Sequence, residues 1–147
     1  MKTEKMPQGF HTLTPYVTVH DARKLIEFLK HTFDAKEIYC SNRPDNTIAY
    51  ARVQVGDSLI EISDASERVN AMNVAIHVFV DDVDKTYKNA LEAGAFAILE
   101  PADKFYGSRE AYVEDPCGNL WYIAMHIEDV SYEEMRKRIK EFQEKEE

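Results

Sequence analysis

The sequence predicts an α+β fold in which two βαβββ modules form a curved, cleft-containing mixed sheet and a helix closes the chain. Three observations lead there. "VTVHDARK" (Val17 to Lys24) and "VFVDDVDK" (Val78 to Lys85) agree at Val17/Val78, Val19/Val80, Asp21/Asp82 and Lys24/Lys85, always 61 positions apart. The same separation of 61 carries "LIEI" (Leu59 to Ile62) onto "LWYI" (Leu120 to Ile123), each following a glycine turn. Last, "VSYEEMRKRIKEFQEKEE" stands outside both copies and has its own helical periodicity.

Module one, about 12–66, opens on an alternating strand through Val19. Asp21 then caps a helix whose Ala22, Leu25, Ile26, Leu29 and Phe33 fall on one side. Strands follow at Ala35 to Tyr39, Ile48 to Val55 and Ser58 to Ser63, with turns at Asn46 and Gly56-Asp57. Module two, about 73–127, repeats the order. Asp81 or Asp82 caps its helix, which carries Val83, Tyr87, Ala90 and Leu91 and stops at Gly94, the residue best able to adopt the left-handed C-terminal conformation. Its later strands are Ala97 to Glu100, Glu110 to Glu114 and Leu120 to His126, separated by Gly107 and by the turn "DPCGN". The tail helix, about 131–145, opens on Ser131 and Glu134 in capping-box spacing and lines up Tyr132, Met135, Ile139 and Phe142 for burial against protein.

At 147 residues and 44% hydrophobic, the whole chain, 1–147, suits one domain. Cys40 and Cys117 are too far apart for a C-x-x-C motif, so a reducing, cytoplasmic setting is expected. No apolar run suits a signal or a membrane span. A net charge of −9 with scattered bases makes nucleic acid an unsuitable partner. Glycine loops for phosphoryl or methyl transfer are lacking as well.

Because strand residues alternate sides, one face must meet the helices and the other lines a cleft. Leu13, Pro15, Val17 and Val19, then Ala49, Ala51, Val53 and Val55, then Ile60 and Ile62 suit the packed face of module one. Thr14, Tyr16, Thr18, Ile48, Tyr50, Arg52 and Glu61 are left for the inner side. In module two Ile76, Val78, Trp121 and Ile123 pack, while Ala75, His77, Phe79, Glu110, Tyr112, Tyr122 and His126 turn inward. Aromatic walls with a few polar groups fit a small organic ligand. The candidate ligand set is Tyr16, Tyr50, Arg52 and Glu61 from module one, with His77, Tyr112, Tyr122 and His126 from module two. Arg109, after Gly107, either clamps a carboxylate or phosphate at the cleft mouth or bridges Glu110, Glu114 or Asp115 locally. Glu61 either pairs with Arg52, contacts ligand, or serves as a general base, which makes it the one catalytic candidate.

The paired modules with "V-x-D" after each opening strand, "GA" after the second helix and "DPCGNLW" at the last hairpin resemble the vicinal-oxygen-chelate superfamily of glyoxalase I, bleomycin-resistance proteins and extradiol dioxygenases. The likeness spans about 12–127, and "KFYGSREAYVEDPCGNLW" is most similar to the PhnB-like, glyoxalase-related branch. It implies dimers and, in metal-using members, four inward ligands. Their equivalents here are Thr14, Glu61, Ala75 and Tyr122, of which only Glu61 is an ordinary ligand. A relocated set of Glu61, His77 and His126 would need side chains displaced by more than about 6 Å along a strand, against metal bonds of about 2 Å. The expected function is therefore a metal-free, ligand-sequestering or ligand-sensing homodimer without a cofactor. The alternative is a lyase, isomerase or dioxygenase using a divalent metal.

Overall fold

The computed structural model describes residues 3–146. Module one runs β1 (Tyr16–Val19), α1 (Ala22–Phe33), β2 (Lys36–Asn42), β3 (Ile48–Val55) and β4 (Ser58–Asp64). Module two runs β5 (Ala75–Phe79), α2 (Val83–Glu92), β6 (Phe96–Lys104), β7 (Ser108–Glu114) and β8 (Leu120–His126), and α3 (Tyr132–Glu146) follows. The strands form two mixed four-stranded sheets, ordered β1-β4-β3-β2 and β5-β8-β7-β6. In each, the first strand lies parallel to the last and the other pairs are antiparallel. None of the described helices is long and apolar enough to cross a membrane.

Both helix starts are capped as their sequences require. Asp21 accepts from Lys24 N at 3.2 Å, and Asp82 accepts from Lys85 N at 3.1 Å. A second carboxylate secures α1: buried Asp64 accepts from Ala22 N and from Ile48 N, both at 2.6 Å, tying helix and β3 to the end of β4. Gly94, at φ 97°, ends α2 in the left-handed conformation a side chain would resist. The "DPCGN" turn is built on Asp115, which is 1% exposed. Its carboxylate accepts from Cys117 N at 2.8 Å, Asn119 N at 3.0 Å and the Trp121 indole at 2.8 Å.

One connected core serves both modules. The Trp121 ring of β8 lies 5.1 Å from Phe33 and 6.4 Å from Phe28 of α1, so the first module's helix packs on the second module's sheet. Val17, Ala51, Val53, Ile62, Val113 and Ile123 are buried on the helix side as the alternation requires.

Three details depart from the sequence reading. β1 begins only at Tyr16, and Leu13, expected on the packed face, is 87% exposed. Ile48, expected inward, belongs to the core. The ladder steps from Ser41↔Tyr50 to Asn42↔Ile48, and that bulge reverses the alternation at the strand's first residue. The tail helix buries none of its residues. Tyr132 is 87% exposed, and α3 is held instead by Arg138, which donates to Phe105 O at 2.8 Å and to Glu128 at 2.6 Å, and by a Phe142–Phe105 ring contact at 5.1 Å.

Candidate functional site

Ladder pairing assembles the inner residues into rows. In the first sheet Tyr16, Glu61, Arg52 and Tyr39 are successive partners across β1, β4, β3 and β2. In the second, His77, Tyr122, Tyr112 and Leu99 form the equivalent row across β5, β8, β7 and β6. The repeat of 61 thus sets Tyr16 against His77 and Glu61 against Tyr122, while the ladders make Arg52 the counterpart of Tyr112 with a separation of 60.

Within the first row the carboxylate is engaged from the side. The Tyr50 hydroxyl donates to Glu61 Oε2 at 2.5 Å, and burial followed by this bond pushes the phenol's pKa up. Arg52 is left to the aromatics: its guanidinium carbon lies 5.3 Å from the Phe10 ring centre, 5.9 Å from Tyr39 and 6.0 Å from Tyr50. The sequence-level option of an Arg52–Glu61 ion pair is not taken.

In the second sheet the charge sits elsewhere. Glu110 on β7, 5% exposed, accepts at Oε1 from the Tyr112 hydroxyl at 2.9 Å and also from the Tyr106 hydroxyl. Burial works to raise the Glu110 carboxyl, but the two phenols, then Ser108 and nearby His77, outweigh it and hold the group below its ordinary value. Tyr106 and Tyr112 are pushed up, first by burial and then by this carboxylate. Tyr122 meets Tyr112 edge-on at 4.7 Å, His77 stacks near Phe79 at 4.7 Å, and the Lys104 ammonium lies 5.8 Å from the Tyr112 ring centre.

The candidate ligand residues therefore fall into two groups, Tyr16, Tyr50, Arg52 and Glu61 on one sheet and His77, Tyr112 and Tyr122 on the other. Among the described residues no hydrogen bond or ring contact joins them. His126 lies at the exposed end of β8, bonded to Asp129 at 2.7 Å. Arg109 forks onto Asp84 with two 2.8 Å bonds and reaches Asp103 at 2.9 Å, clipping α2 to β6 and β7. None of the acids expected as its local partners is used.

A cleft of about 980 Å³ opens between the modules, floored by Phe33, Ile60, Ile76 and Trp121. Of the candidate ligand residues only His77 lines it, so this space and the aromatic rows are distinct neighbours. Sequence reading left Glu110 and Tyr106 out of the ligand set. Alternation does turn Glu110 inward, whereas Tyr106 sits in the β6–β7 turn, where no periodicity signals its reach.

The residues at the positions that the resemblance assigns to a metal do not fit an ion. Thr14 Oγ1 donates to His11 O at 3.1 Å, Ala75 has no side-chain donor, Glu61 is held by Tyr50, and Tyr122 packs on Tyr112. Among the described residues no three His, Cys, Asp or Glu side chains are grouped to hold a metal.

Comparison with known proteins agrees with this architecture. Residues 9–123 match the model of the Glyoxalase/Bleomycin resistance protein/Dioxygenase superfamily. An uncharacterized protein of Mycobacterium bovis is 27% identical over 135 residues, covering 84% of this chain and 89% of the relative. The crystal structure of TioX from Micromonospora sp. ML1 superposes with a TM-score of 0.67 at 21% identity, covering 80% of this chain and 99% of that one. A superfamily enzyme from Burkholderia phytofirmans PsJN gives 0.64 at 20% identity, with 78% and 97% covered. At such identities the structures speak for the fold alone.

Proposed function

Because the chain belongs to the Glyoxalase/Bleomycin resistance protein/Dioxygenase superfamily, we propose that it is a small-molecule-binding member of the PhnB-like branch, cytoplasmic and homodimeric. It sequesters or senses an organic ligand on the inner faces of its sheets and works without the superfamily's usual metal. The observation that carries this reading is the set of uncovered rings on those faces. Tyr16 is 50% exposed, Tyr39 51% and Phe79 69%, which leaves aromatic surface open to a ligand on each inner face. The poor donor set at the metal positions supports the metal-free part, and the open flank of α3 supports a second subunit.

The test is a fragment screen by two-dimensional NMR on the purified protein, with elemental analysis of the same sample. Ligands that perturb Tyr16, Tyr39, Tyr112 or Tyr122 are expected. A screen without hits on either face would overturn the binding role. Stoichiometric, chelator-sensitive Zn, Ni, Mn or Fe would replace the reading with that of a metal-dependent lyase, isomerase or dioxygenase.

A further inference from the structure

Arg52 lacks a partner that its position calls for. It stands directly across the ladder from Glu61, where opposite charges normally meet. Tyr50 has taken that carboxylate, and among the described residues Arg52 forms no ion pair. Its Nε is buried and carries no hydrogen bond. A buried donor without an acceptor is costly to a folded chain and marks this guanidinium as incompletely satisfied. The flat faces of the guanidinium are served by Phe10, Tyr39 and Tyr50. The Tyr50 phenol oxygen also engages the guanidinium, but as a neutral acceptor it leaves the cation without a counter-charge.

We infer that Arg52 is the anchor for a carboxylate-bearing ligand with an aromatic body, an aryl carboxylate, bound on the first sheet. A carboxylate accepts from the two terminal Nη groups at once, a bidentate geometry for which a guanidinium is shaped, while the covered Nε stays within the protein. The half-exposed ring of Tyr39, the ladder neighbour of Arg52, receives the ligand's ring. The net charge of −9 works against long-range attraction of any anion, so selection rests on this short-range fork. The inference rests on the ligand-binding reading above and narrows it to one chemical class.

Phenylacetate and its neutral isostere phenylacetamide are the probes, titrated into the full chain with the Arg52 Nε–H resonance followed by NMR. Phenylacetate is expected to shift that resonance and to bind at least about tenfold more tightly than the amide, as one charge-assisted fork implies. Arg52→Gln should bring phenylacetate down to the amide's affinity. Arg52→Lys, which keeps the charge but loses the fork, should recover only part of the preference and serves alone if the glutamine variant does not fold. Equal binding of the two probes, a preference that survives Arg52→Gln, or no binding of phenylacetate while the fragment screen yields other ligands would each overturn the inference and leave the binding role standing. Failure of every fragment would overturn both.

Discussion

Arg52 and Glu61 face each other on adjacent strands, yet the Glu61 carboxylate bonds the Tyr50 hydroxyl at 2.5 Å and not the guanidinium. Removing that hydroxyl should reverse the choice. In Tyr50→Phe, Glu61 is expected to swing onto Arg52, giving an ion pair visible in a crystal structure and a shifted Arg52 Nε–H signal. Stability should change by less than about 1 kcal/mol, since one hydrogen bond replaces another. Phenylacetate affinity should fall, because the fork is then occupied.

The Glu110 cluster predicts an acid limb. Its folded-state pKa is depressed, so the stabilisation is complete above the unfolded value of 4.5 and is lost as pH falls through the lower folded value. Urea unfolding between pH 3 and 7 should show this loss in the wild type and a shallower slope in Glu110→Gln. At neutral pH the substitution should cost about 1.5–3 kcal/mol, the worth of hydrogen bonds to a charged acceptor. A wild-type curve flat below pH 5 would contradict the assignment.

Asp115 holds the last hairpin. Asp115→Ala strands the Cys117, Asn119 and Trp121 donors in a buried site and should destabilise by about 3 kcal/mol or more. Denaturation followed by the fluorescence of Trp121, the chain's one tryptophan, reports it directly. Asp115→Asn, which keeps an acceptor, should cost less.

The uncovered side of α3 predicts assembly. Ile139 is 39% exposed and Phe142 46%, and β6, an edge strand, exposes Phe96 and Ile98. Light-scattering chromatography should place the protein near twice its 17.0 kDa mass. Ile139→Glu should shift it toward monomer; a variant that stays a stable dimer would move the interface off this helix, and a monomeric wild type at high micromolar concentration would remove the dimer altogether.

Thiol labelling should distinguish the two cysteines. Burial, with Asp115 and Asp21 nearby, pushes the Cys117 thiol up to about 11, so it stays protonated and slow toward alkylating reagents at pH 8. Rapid modification of Cys117, read by peptide mass spectrometry, would contradict its placement.

Element type, order and, Leu13 and Ile48 apart, facing were legible in the sequence because they depend on short periods: 3.6 residues for Leu25, Ile26 and Leu29, two for Val17, Ala51 and Ile123, and 61 between the first and last strands of the two modules. Those signals survive in a single chain, since each is set by neighbours a few positions away. Tertiary structure alone decided which inward groups meet. Tyr50 reaches Glu61 diagonally, Tyr106 reaches Glu110 from a turn, and Arg109 forks onto Asp84, 25 positions earlier. It also decided that the two inner rows lie on separate sheets and that the α3 stripe stays uncovered. The reason is one of range: alternation tells a side chain which face it occupies, but its partner is set by strand register, side-chain length and competition among several acceptors, distances that no local pattern encodes.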